Sequence, residues 1–270
     1  MNPSFSHIQM VAIDCDETLL RSDNTVSEYT KDVLHRLQEK GIQITIATGR
    51  MYQTAKPVGM SLQLGNVPMI LFSGGLIQEL ESGRKLFERT VPLDTVQRIW
   101  KIASQYGWHI QSYVDDHLLC HHQDWQSDLY ERQTGAKAKF LDDSLYDLSQ
   151  EPNKLIAIDT VKNIDSIIDT LTPIVGDTAT LVRSQQDFLE IIAPHVSKGD
   201  ALYQLAQQYG IGLEHIVSFG NAENDISMLS KTGYSVAVEN AVDHVKSVAC
   251  EVCGHHNEDG VAHWIEEHLL

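Results

Sequence analysis

The stretch Met10-Val11-Ala12-Ile13-Asp14-Cys15-Asp16-Glu17-Thr18 sets two carboxylates one residue apart directly after four apolar residues. An apolar run of this kind is the pattern of a strand buried on both faces of a sheet. Acids at the end of such a strand lose part of their water, a cost that a metal, a cation or a reaction must offset. In open parallel sheets, ligands bind in the crevice at the carboxyl ends of the strands. Asp14 and Asp16 are therefore candidate chemical groups.

Outward from this stretch, strand and helix signals alternate. Ser27 is placed to cap a helix whose apolar residues Val33, Leu34 and Leu37 share a face, with Gly41 as its stop. Ile42 to Ala47 reads as a strand running into Thr48-Gly49-Arg50, followed by a helical stretch that Pro57 is expected to end or kink. Met69 to Phe72 reads as a third buried strand, ending in Ser73-Gly74-Gly75. The last third continues in the same style. A helix with Leu202, Leu205, Ala206 and Tyr209 on one face precedes the strand Ile216 to Phe219. Another strand, Tyr234 to Val238, is followed by a helix carrying Val242, Val245 and Val248, and the chain closes on a helix from Val261. The pattern predicts an α/β fold, a doubly wound parallel sheet of Rossmann type. The middle differs: it holds paired histidines and most of the aromatics, among them Trp108, Tyr113 and Trp125, which read as core. It predicts an inserted α+β cap domain over 83–188, with the core domain formed by 1–82 and 189–270.

Net charge is −17, from 37 acids against 20 bases, and no basic cluster marks a nucleic-acid footprint or an anionic membrane surface. No apolar run approaches the roughly 20 residues of a membrane span. Met1 to Ile8 carries no signal-peptide pattern, so the expected location is cytoplasmic, as a monomer or small homo-oligomer. The four cysteines are too few and scattered for a disulfide framework. Cys250-x-x-Cys253 with His255 and His256 has one Cys pair only, and reads as small residues closing the sheet rather than as a zinc site.

Four segments stand at strand ends or loops of the outer thirds: Asp14 to Thr18, Thr48-Gly49-Arg50, Ser197-Lys198-Gly199, and Gly220-Asn221-Ala222-Glu223-Asn224-Asp225. Together they offer carboxylates for a hard cation, and a hydroxyl, amides and a lysine for a phosphate. Their order and spacing resemble the haloacid dehalogenase-like superfamily and, within it, the Cof-like phosphatases with an α/β cap. The resemblance covers nearly the whole chain.

It implies a Mg²⁺-dependent phosphatase acting on a small phosphorylated metabolite such as a sugar phosphate, through an aspartyl-phosphate. Asp14 would be the nucleophile and Asp16 the proton carrier. Thr48, Gly49, Lys198 and Asn224 would hold the phosphoryl oxygens. Asp14, Asp16 through its carbonyl, Asn221 and Asp225 would hold Mg²⁺. Three positions depart from the family pattern: Glu17 replaces a Gly, Gly74 an Asn, and Asn221 an Asp. Glu17 is in a position to return the carboxylate that Asn221 lacks. A phosphomutase of similar fold, or a phosphate-metabolite-binding protein with a weakened site, are the alternatives.

Overall fold

The computed structural model describes residues 5–270. They form two compact units: one holds the residues up to Arg50, Ala55–Phe87 and Ser197–Leu270, the other Met51–Thr54 and Glu88–Val196. The boundaries read from sequence at 82/83 and 188/189 thus move to 87/88 and 196/197. Lys85–Glu88 is an edge strand of the larger sheet, and Phe188–Ile192 pairs inside the smaller one.

Among the described residues eight strands make the larger sheet. Their spatial order is Glu251–Cys253, Tyr234–Val238, Ile216–Gly220, Met10–Asp14, Gln43–Ala47, Pro68–Leu71, Leu76–Glu79 and Lys85–Glu88. The first six run parallel, and Leu76–Glu79 turns back antiparallel on Pro68–Leu71. From the central Met10–Asp14 strand the chain steps outward on one side and later returns to the other. The carboxyl end of that strand therefore stands at the topological switch point, where side chains from several strands converge. Met10, Val11, Ala12 and Ile13 are wholly buried, as a strand covered on both faces requires. The helix Glu28–Glu39 starts where Ser27 Oγ accepts the Thr30 N–H, and it buries Val33, Leu34 and Leu37.

Three local expectations shift. The helix Tyr52–Ser61 continues through Pro57, which removes one bond, to the Gln53 carbonyl, without ending the helix. Tyr209, in the last turn of Lys198–Tyr209, faces solvent. Val242 precedes the helix Asp243–Val248 and is exposed, leaving Val245 as the buried anchor.

The smaller unit is an α+β domain. Its sheet orders Thr180–Gln185, Phe188–Ile192, Lys154–Ile158, Ile110–Val114, His117–Cys120 and Ala138–Phe140, with only the last pair parallel. Leu93–Tyr106 and Val161–Val175 close one face, packing Val96, Ile99, Ile164 and Ile167 against Ile110, Leu155 and Leu189. Tyr113 is buried as expected and Trp108 is partly buried against the Ile99 and Ile110 cluster, whereas Trp125 opens a helix at the surface.

Candidate active site

Three segments far apart in sequence meet at the end of the Met10–Asp14 strand. Asp14 is 4% exposed, and Lys198 Nζ donates to its Oδ1 at 2.5 Å. The same ammonium donates to Asp225 Oδ1 at 2.7 Å. Lys198 is the first residue of its helix, and Ser197 caps that helix by accepting the Asp200 N–H, so the buried ammonium leaves from a rigid helix start. Asp225 Oδ2 accepts the N–H groups of Asn221 and Ala222, which curls the loop after Ile216–Gly220 back on itself. Gly220 permits the curl, because a Cβ there would lie 2.5 Å from that of Asp225.

Gly74 makes a further tight contact. Its φ is +114°, and a Cβ would stand 2.2 Å from the Ser197 carbonyl oxygen. The strand end thus rests directly on the backbone that carries Lys198, and only glycine fits there. Burial, with the Asp225 charge second, pushes the Asp14 carboxyl above its usual range, while Lys198 and Thr18 pull it back. Lys198 is held above the ordinary lysine value because its two carboxylates outweigh the burial that would lower it.

A second group lies one residue along the chain and is far wetter. The Asp16 side chain is 50% exposed and forms a forked ion pair with Arg50, the third residue after the Gln43–Ala47 strand. Thr48 is fully buried, and its Oγ1 accepts the Arg50 N–H at 3.1 Å, leaving the hydroxyl hydrogen to donate. Glu17 takes a left-handed conformation, φ +56°, in the wide turn Cys15–Leu19. That explains structurally why a glycine suits this position. The Glu17 side chain is exposed, and its carbonyl accepts from Asn240 Nδ2. Further along the turn, His256 Nδ1 meets the Leu20 carbonyl at 2.8 Å and Asn257 holds Ser22, so the C-terminal segment braces the loop that carries Asp16.

Of the residues singled out from sequence, Asp14, Lys198 and Asp225 touch directly. Thr18 Oγ1 donates to Asn221 Oδ1 at 3.2 Å, which joins the first segment to the fourth. Asn224 lies exposed on that loop, and Gly49 sits half-buried beside Ser73. Asp225, expected as a metal ligand, meets Lys198 through Oδ1 and two backbone N–H groups through Oδ2. The sequence gives Arg50 no role of its own; its contact with Asp16 comes from the fold. Cys15 is buried and its thiol is pushed up by that burial, so it is no competing nucleophile. Cys250 and Cys253 are free; Cys250 precedes the edge strand Glu251–Cys253 and Cys253 ends it. Three residues apart in extended chain, they stand about 10 Å from one another, beyond disulfide reach.

The residues fit a divalent cation. Asp14 and Asp225 bring two buried negative charges against one ammonium, which leaves one negative charge uncompensated in a desolvated place. Among the described residues no three His, Cys, Asp or Glu side chains converge to hold a metal. The donors available are instead a carboxylate at Asp14, the Asp16 carbonyl and the Asn221 amide oxygen, all hard oxygens of the kind Mg²⁺ takes.

A family model described as haloacid dehalogenase-like hydrolase matches residues 11–265. The chain belongs to that family. It falls in the Cof-like branch and is a phosphatase. The 5-amino-6-(5-phospho-D-ribitylamino)uracil phosphatase YitU of Bacillus subtilis is 27% identical over 267 residues, covering 96% of this chain and 97% of its own. A second Bacillus subtilis phosphatase of the same name, YwtE, is 28% identical over 290 residues, covering 97% and 98%. Among solved structures, a Thermotoga maritima protein superposes with a TM-score of 0.90 at 26% identity, covering 96% of this chain and 97% of its own. Among the described residues no helix is long and apolar enough to cross a membrane.

Proposed function

We propose that this phosphatase hydrolyses monoesters of small phosphorylated metabolites, sugar or polyol phosphates, through an aspartyl-phosphate on Asp14. The observation that carries the reading is the Lys198 ammonium shared between Asp14 and Asp225. It draws the buried Asp14 back toward its charged, nucleophilic form, and it places a cation where phosphoryl oxygens arrive. Asp14 attacks phosphorus while Asp16 gives its proton to the departing alkoxide. Asp16, now a carboxylate, takes a proton from the water that opens the acyl phosphate, and Asp14 is regenerated as inorganic phosphate leaves. The Thr48 hydroxyl, the Gly49 N–H, Lys198 and the Asn224 amide hold the phosphoryl oxygens. Asp225 serves behind them, fixing Lys198 and the loop. Asp14, the Asp16 carbonyl and Asn221 would hold Mg²⁺, which when bound would offset the negative charge of the attacking carboxylate and of the phosphate.

The substrate class draws support from the YitU name, which specifies a phosphate on a ribityl chain. The test is phosphate release from p-nitrophenyl phosphate and from a set of sugar and polyol phosphates, with Mg²⁺ varied and no bisphosphate added. Asp14→Asn is expected to abolish release in every case. Activity unchanged in Asp14→Asn would sink the mechanism, and release that needs a bisphosphate activator would mark a phosphomutase.

A further inference from the structure

The Asp16 carboxylate is gripped from one side. Arg50 Nε donates to its two oxygens at 3.1 and 3.0 Å, and Nη2 adds a bond to Oδ1. The same Nη2 donates to Asn24 Oδ1 at 3.1 Å. Arg50 starts from a pinned main chain: its N–H is taken by Thr48 Oγ1, and its carbonyl accepts the Phe72 N–H at 3.1 Å. A planar fork on both oxygens selects one orientation of the carboxylate, which a point charge would not do. A half-exposed ion pair of this kind adds little to folding stability. The fixed orientation that the fork imposes suits a group that must exchange a proton.

We infer that Arg50 is the positioning residue for Asp16, with Asn24 bracing the guanidinium from its flank. The inference rests on reading Asp16 as the acid–base group. In the first half-reaction the Asp16 proton passes to the leaving oxygen. In the second, the same carboxylate accepts a proton from water. Arg50 loses no proton in either and acts only through the direction in which it holds Asp16.

A double-mutant cycle on p-nitrophenyl phosphate at saturating Mg²⁺ tests this. Arg50→Ala is expected to lower kcat by about 10- to 100-fold, the usual effect of misplacing a reacting group by an ångström. KM is expected to stay within about twofold, since no substrate contact is removed. Added to Asp16→Asn, Arg50→Ala is expected to cost nothing further. Arg50→Lys, which restores charge without the fork, should recover only part of the loss. A raised KM with intact kcat would overturn the inference in favour of direct substrate binding, and so would additive losses in the double variant. If Arg50→Ala fails to fold, Asn24→Ala replaces it in the same cycle: a smaller kcat loss that vanishes beside Asp16→Asn supports the inference, and an additive one overturns it. Activity persisting in Asp14→Asn would reject the broader mechanism. Activity lost there together with an additive cycle would reject the role of Arg50 alone.

Discussion

Asp14 and Asp16 are separated by one residue and each meets a cation, yet their surroundings are opposite. Asp14 shares Lys198 with Asp225 in a place nearly closed to water. Asp16 meets Arg50 where half of its side chain remains wet. The inner cluster is electrostatically expensive and depends on every member, because removing one leaves an unpaired charge in a low dielectric. The outer pair is screened and, taken as an ion pair, contributes little to folding. Chain proximity thus says little about energetic role; the side of the strand end on which a carboxylate emerges says more.

Breaking the two pairs in turn is the sharpest test of that contrast. Lys198→Met leaves two carboxylates buried without their cation, and urea unfolding is expected to show a loss of about 3–5 kcal/mol. Arg50→Ala in the same assay is expected to cost under about 1 kcal/mol. Equal losses would erase the distinction between the two sites. Asn221→Asp adds charge to the inner oxygen set, and the Mg²⁺ concentration for half-maximal activity is expected to fall by about tenfold. Titration curves that superimpose would place Asn221 outside the metal's reach.

Glu17→Gly relieves a left-handed residue at the start of the outer loop, and is expected to stabilise the fold by about 0.5 kcal/mol after the added freedom of the unfolded chain is counted. Because the Glu17 side chain is exposed, the Mg²⁺ requirement should not move with it.

The smallest effect concerns another outer clasp. Arg84, Ser82 and Asn66 donate to the Glu79 carboxylate and hold it down at about 2. With its folded value below the unfolded one, this clasp adds stability above about pH 4.5 that fades as pH falls toward 2. Glu79→Gln is expected to flatten the acid limb of a melting-temperature profile slightly, and an unchanged limb would deny the clasp any share.

Much of the inner site was legible because its strands are buried on both faces and announce themselves as apolar runs. Asp14 follows Met10 to Ile13, and the loop from Asn221 to Asp225 follows Ile216 to Phe219. Features fixed by pairing or by side-chain direction were less visible. Phe188 to Ile192 has the same texture whichever sheet it joins, and only its partners Lys154–Ile158 and Thr180–Gln185 decide the matter. No pattern in sequence revealed that Asp225 turns inward to Lys198, or that Arg50 reaches back 34 positions to Asp16. The family resemblance carried the roles of the residues; the spacing alone pointed to a phosphate and a cation.

The contact of Gly74 with the Ser197 carbonyl passes from main chain to main chain, with no rotamer between. The position of the Lys198 ammonium relative to the sheet is thus insulated from repacking of the surrounding apolar side chains, which can exchange one shape for another without moving it. The same directness removes any slack. A single methyl at Gly74 has nowhere to go except against the helix start, so the lysine would be displaced by a change that leaves every charged group of the site in place.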